Sequence, residues 1–220
     1  MASEFPRSPR LLKGALVVFE TAVPVPTNLI VFQYNPETMG RSFRQQGGEA
    51  AEAGKAGDTQ HVLMPPLETF QMSVELDATD QLETSGVLAR AVGLHPTLAA
   101  LELLLYPPST QIILNKALTL LGSSIISPAE VPLVLLVWGA PRVVPVRVTS
   151  VTITEQAFDQ LLNPIQARVS LGLRALTPIE LQQAGPPFDT LAIVNHIAKE
   201  VLARANIANS VQQITTMLPF

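Results

Sequence analysis

The chain has 220 residues, a net charge of −4, 47% hydrophobic and only 15% charged residues, and no cysteine. That length supports one large domain with its own core. The missing cysteine excludes disulfides, thiolate metal sites and a cysteine nucleophile, and the absence of a basic stripe excludes a nucleic-acid footprint.

Soluble domains usually carry about 25% charged residues, so this surface is thinly solvated and calls for a cover of lipid or protein. The apolar runs at 98–106, 112–126 and 131–138 are interrupted or shorter than the ~20 residues of a spanning helix. Asn115 and Lys116 break the middle one. The first ten residues, MASEFPRSPR, are polar and lack the apolar stretch of a signal peptide. The chain therefore reads as cytosolic when made, with no membrane span, and hidden in a protein assembly.

Residues 1–12 read as a flexible arm. Strands are predicted at 15–20 and 29–34 around Val23-Pro24-Val25-Pro26, followed by the turn Asn35-Pro36-Glu37-Thr38, where Pro36 fixes φ and Asn35 bonds its own backbone. A third strand begins at 41–44. Residues 45–60 are rich in Gly, Ala and Glu without hydrophobic period, a loop of the kind that is disordered or binds something. In the next strand Phe70, Met72, Val74 and Leu76 point one way and Thr69, Gln71, Ser73, Glu75 and Asp77 the other, the pattern of a half-buried antiparallel strand. Asp77-Ala78-Thr79-Asp80 stops it with helix-cap chemistry.

A helical pattern covers 81–106. Leu82, Val87 (or Leu88) and Ala91 form a short element, and Pro96 opens a second helix with Leu98, Leu101, Leu104 and Leu105 on its apolar face. Pro107-Pro108 ends it. The apolar segment 109–127 is ambiguous; Ile112, Ile113, Lys116, Ala117, Leu120 and Leu121 fit a helical stripe ended by Gly122. Residues 131–138 read as a strand covered on both faces. In the strand 144–154 the inward parity passes from Val144, Val146 and Val148 to Val151 and Ile153, which predicts a β-bulge near 149–150. After a loop at 156–164, Ile165, Ala167, Val169, Leu171 and Leu173 face in, and Gln166, Arg168, Ser170 and Arg174 face out. Pro178, Gly185, Pro186 and Pro187 mark a linker, and Phe188-Asp189-Thr190 caps a last helix with Leu191, Val194, Ala198, Val201 and Ala205. That helix is predicted to end near Asn206, leaving a tail. Strands in runs with segregated helices give an α+β class, mainly β.

Candidate chemistry is sparse. His61, His95 and His196 lie far apart and read as surface or capping residues. Asp77, Asp80 and Glu83 lack calcium-loop spacing and read as a solvated strand end. Gly47-Gly48 and Gly54 lack the Lys-Ser/Thr of a phosphate loop, and Ser123-Ser124 lacks a nucleophile elbow. Trp138 reads as a core anchor ahead of an exposed hot spot. No catalytic residue, cofactor or metal is expected.

Three stretches together resemble one family. Phe32-Gln33-Tyr34-Asn35-Pro36-Glu37-Thr38 with Arg41-Ser42-Phe43 is similar to the N-terminal signature of the contractile injection system tube family, whose domain also occurs at the N-terminus of LysM-bearing baseplate-hub adaptors. The strand ending in Leu76-Asp77-Ala78-Thr79 resembles the second signature. Trp138-Gly139, then Phe158 and Asn163-Pro164, resembles the third. The matches run in order over residues 13–176.

The resemblance implies a tube-protein-like antiparallel β-barrel or sandwich with flanking helices and a C-terminal helix. It also implies a structural role: a ring, sixfold, at the baseplate hub of a phage-tail-like particle, contacting inner-tube subunits, the spike or hub protein and other baseplate subunits. The alternatives are the repeating tube subunit, a tube cap or, in a different class, an envelope glycan-binding module. Phe32, Tyr34, Asn35, Pro36, Arg41, Phe43, Trp138, Gly139, Phe158, Asn163 and Pro164 carry the motif and are the oligomer-interface candidates. The expected division is an arm (1–12), a tube-like domain (13–180) with the apolar insertion 109–127 against a neighbouring subunit, and a linker, helix and tail (181–220). No LysM pattern follows residue 180.

Overall fold

The computed structural model describes residues 12–20, 25–46, 64–79, 92–122, 130–139, 142–182 and 184–217. The arm up to residue 11, residues 47–63, the element expected around Leu82–Ala91, residues 123–129 and the last three residues lie outside that set.

The chain is α+β, mainly β. Strands β1 (Ala15–Phe19), β2 (Pro26–Val31), β3 (Met39–Arg44), β4 (Leu67–Asp77), β5 (Leu133–Val137), β6 (Val143–Phe158) and β7 (Pro164–Ala175) form one seven-stranded sheet in the order β2-β1-β5-β6-β7-β4-β3. Every pairing is antiparallel. The sheet is open, with β2 and β3 at its edges, and it is strongly curled. Asp77 N–H at the end of β4 donates to Gln33 Oε1, just past β2, at 2.9 Å. In a flat sheet β2 and β4 would lie about 24 Å apart, at ~4.8 Å per strand, so the bond requires the sheet to roll toward a barrel. Arg142, between β5 and β6, likewise reaches Met39 Sδ on β3 at 3.8 Å.

The concave face holds the main core: Leu16, Val18, Phe32, Phe70, Val74, Val134, Leu136, Val146, Val169, Leu171 and Leu173. Helix α1 (His95–Glu102), opened by Pro96, plugs this face with Leu98 and Leu101, and the 3₁₀ turn Leu103–Leu105 adds Leu104. Leu105, expected inward, is 37% exposed, because the tighter three-residue turn rotates it off the α-helical stripe. β5 is buried on both faces as its unbroken apolar run predicts. Val134 and Leu136 enter the main core, and Leu133 and Leu135 enter a second core on the convex side with Phe19, Leu181 and Phe188.

The phase change in β6 is a bulge. Register shifts between Val148 and Ser150, and Gly172 opposite accepts it: a Cβ there would lie 2.3 Å from Ser150 Oγ. Three sequence boundaries need correction. β2 runs Pro26–Val31 rather than 29–34, since Gln33 turns away to meet β4. β6 continues to Phe158, so the expected 156–164 loop shrinks to 159–163; two further register shifts, at Glu155/Ala157 and Ala157/Phe158, scramble the alternation that would have signalled the strand. Within the linker, α3 (Pro178–Leu181) forms under a capping box in which Thr177 and Glu180 bond each other's backbone.

The last correction is the largest. Helix α4 (Phe188–Met217) has 30 residues and continues past Asn206. No Gly or Pro lies between Phe188 and Met217, and Asn only modestly disfavours a helix interior. At 1.5 Å per residue α4 is about 45 Å long; its described contacts with the body run from Phe188 to Lys199, and residues 200–207 are exposed. Helix α2 (Ser109–Leu120) realises the helical reading of 109–127 and has no buried residue.

Candidate functional site

The motif residues fall into three groups. In the first, Phe32 is 1% exposed and its ring lies 6.4 Å from that of Trp138. Gly14 sits against both, and a Cβ there would come within 2.7 Å of Trp138 and 2.8 Å of Phe32. Phe32 N–H donates to Gly14 O at 2.9 Å. Asn35 does not close its own turn as expected. Its Oδ1 accepts from Gly14 N–H and its Nδ2 donates to Leu12 O, both at 2.8 Å, so it clamps the segment that leads into β1. Pro36 is partly buried, Tyr34 is 47% exposed, and Gly139 turns the β5–β6 connection with φ 73°. Asn35→Ala removes both clamp bonds and is expected to cost about 1–3 kcal/mol, read as a lower midpoint in urea with an unchanged slope. No change in midpoint would show that the clamp contributes nothing.

The second group lies where β3, β4 and α4 meet. Glu68 follows the inward parity of β4 and is 7% exposed. Its Oε1 accepts from Arg41 Nη2 at 2.6 Å and its Oε2 from Lys199 Nζ at 2.5 Å. The Arg41 guanidinium carbon lies 5.1 Å from the Phe43 ring centroid and 5.5 Å from that of Phe70, and Lys199 Nζ lies 5.6 Å from Phe43. Burial pushes the Glu68 carboxyl up, but the hydrogen bonds from Lys199 and Arg41 and their charges outweigh it, so the carboxyl titrates below its ordinary value. One turn before Lys199, Asn195 Nδ2 donates to Val143 O and to Leu191 O. These bonds hold α4 across the sheet's end and leave a cleft of about 370 Å³ walled by Phe43, Pro66, Pro145, Leu176 and Ile179. Its polar groups are Glu68, Lys199, Asn195, His196 and Thr177.

The third group is the tip of the β6–β7 hairpin. Asp159 accepts from Leu161 N–H (2.7 Å), Asn163 N–H (2.8 Å) and Asn163 Nδ2 (2.9 Å), and these bonds keep its carboxyl below the usual range. The loop holds Leu162 at φ 64°, a left-handed conformation that costs a leucine energy. Leu161 and Leu162 are 76% and 77% exposed, and Phe158 is 49% exposed. Pro164 is buried at the start of β7, where its carbonyl accepts from Leu94 N–H at 2.8 Å.

Phe32 with Trp138, Arg41 with Phe43, and Phe158 with Asn163 and Pro164 are thus each brought together, whereas the three groups stay apart. Sequence reasoning missed Glu68, Lys199, Asn195, Asp159 and Gly14. The one local signal for Glu68 was a charge two residues before Phe70, on the core parity. Lys199 is 131 residues away from Glu68 and announces nothing by itself. No family model matches the chain, and no curated protein matches it.

Apolar surface remains outside these groups. α2 exposes Ile113 and Leu120, with Leu121 exposed just beyond its end, and α4 exposes Ile193, Ile197 and Val201. Edge strand β2, Pro-Thr-Asn-Leu-Ile-Val, carries no charge and exposes Leu29 (58%) and Val31 (47%). Edge strand β3 carries Arg41 and Arg44. Among the described residues no single helix is long and apolar enough to cross a membrane; α1 with its 3₁₀ turn and α2, bent by 50°, pass together on length and composition.

Proposed function

We propose that the chain is a structural subunit of a contractile, phage-tail-like injection system. Copies form a ring at the baseplate hub that adapts the spike to the inner tube. The observation that carries the reading is the uncharged, apolar edge strand β2, at the opposite margin from β3 in an open, curled antiparallel sheet. Soluble proteins blunt free strand edges with charge, bulges or cover. β3 has its arginines; β2 has Pro26 and a register shift against Val18 and Phe19 at its start, but the run from Asn28 to Val31 has only neutral side chains. A β2 margin laid against β3 of the next copy satisfies both and repeats head to tail, the kind of contact that closes a ring. The ordered signatures at Phe32–Phe43, Leu76–Thr79 and Trp138–Pro164 support the same reading, as does the apolar surface on α2. Trp138, turned onto Phe32, is poorly placed to stack on a sugar, which disfavours the glycan-binding alternative.

The test is assembly of the purified chain. The wild type is expected as rings by electron microscopy. Leu29→Lys adds a gatekeeping charge to an exposed edge position, and it should abolish rings while tryptophan fluorescence and circular dichroism stay native. Rings that survive Leu29→Lys remove β2 from the interface. Filaments grown from this chain alone would make it the repeating tube subunit instead.

A further inference from the structure

We infer that the solvent face of α4 is an antiparallel coiled-coil seam for a second copy of this chain. The helix has two distinct faces. Phe188, the adjacent Leu191 and Ala192, then Asn195 and Lys199 lie on one side and hold the body through the second core, the Val143 carbonyl and Glu68. On the opposite side, Ile193, Ile197, Glu200, Arg204 and Ile207 follow at spacings of four, three, four and three. That is heptad spacing, with Glu200 and Arg204 at two of the positions that a coiled-coil seam usually fills with apolar side chains. Ile193, Ile197 and Ile207 are 50%, 51% and 61% exposed. In the sequence Val211 and Ile214 occupy the next two positions of the same series. A long helix with this much bare apolar surface is poorly stable away from the body.

Charge selects both the occupant and its direction. In a parallel, in-register pair Glu200 would meet Glu200 and Arg204 would meet Arg204, two like-charge layers in the seam. Reversing the partner about a two-fold axis at residue 202 sets Glu200 opposite Arg204 twice, Ile197 opposite Ile207 twice, and position 193 opposite position 211. Every layer of that register is then apolar on apolar or acid on base, with no offset to adjust. The seam complements itself only antiparallel. His196, whose Nε2 lies 3.3 Å from Glu200 Oε1, sits on the same helix one turn earlier and leaves Glu200 half exposed for the second partner. A two-fold contact joins copies in pairs, so this interface goes beyond the ring reading and does not rest on it.

The experiment is sedimentation of the full-length chain at about 100 µM. The wild type should have twice the mass of Glu200→Arg, whatever number of copies a ring holds, because that variant places Arg against Arg in both central layers. Glu200→Arg mixed with Arg204→Glu should recover the doubled mass. A wild-type mass that Glu200→Arg leaves unchanged overturns the proposal and says nothing against the ring. Direction is read by cross-linking, since the chain has no cysteine of its own. Ile197→Cys mixed with Ile207→Cys should form an oxidised dimer, and Ile197→Cys alone should not. Efficient cross-linking of Ile197→Cys to itself overturns the antiparallel register.

Discussion

Phe32→Ala is expected to cost about 3–5 kcal/mol, the range for truncating a buried aromatic that leaves a cavity. Phe32 fills the point where the end of β2, Gly14 and the Trp138 turn converge. Gly14 has no side chain to collapse into the gap, and the Trp138 backbone N–H is bonded to Arg142 O at 2.8 Å, so the backbone on both sides of the gap has little room to relax. For a chain of this size the loss corresponds to a drop in Tm of roughly 6–20 °C. Trp138 is the only tryptophan and stands beside the cavity, so its emission should shift to longer wavelength in the folded variant as well. An unfolding free energy from urea within about 1 kcal/mol of wild type, with unshifted emission, would show that Phe32 is not the anchor of this corner.

The second large effect concerns Glu68. Replacing both cations, as Arg41→Met with Lys199→Met, leaves a buried carboxylate without a partner and is expected to cost about 3–5 kcal/mol at pH 7. The pH dependence identifies the cause. In the wild type the folded carboxyl lies below its ordinary value of 4.5. The pair's contribution is therefore complete above about pH 4.5 and is lost as pH falls through the lower, folded value. In the double variant only burial acts on the carboxyl and raises it. The variant should then regain stability as pH falls from 7 toward 4.5, opposite in sign to the wild type over the acid limb. Glu68→Gln should abolish both trends. Urea midpoints across pH 3–8 on the three proteins decide it, and parallel curves for wild type and double variant would sink the assignment. Because Lys199 also ties α4 to the sheet through Glu68, Lys199→Met alone should increase amide exchange along α4 ahead of global unfolding.

How far the sequence reached depends on the range of the interaction involved. The alternation from Phe70 to Leu76, the apolar run of β5 and the inward set from Ala167 to Leu173 arise from side chains two residues apart on one strand, and each was legible. So was the bulge at Thr149, because a changed parity is itself a local signal. The end of β6 was hidden by two more register shifts, and the true end of α4 by an asparagine that resembled a stop. α3 could have been found, since Thr177 and Glu180 have capping-box spacing. Among the residues that carry the motif, Phe32 and Pro164 lie in the interior and Asn35 serves as a clamp.

By itself the sequence determined the fold class, most of the strands with their inward faces, and the helix at 95–102. These follow from periodicity and composition, which act within a few residues. The tertiary structure decided that the sheet curls until Gln33 meets Asp77, that Glu68 is buried between Arg41 and Lys199, that β2 becomes an edge strand, and that α4 turns one face to the body and the other outward. Each depends on groups tens of residues apart arriving at one place, and only the folded chain brings them there.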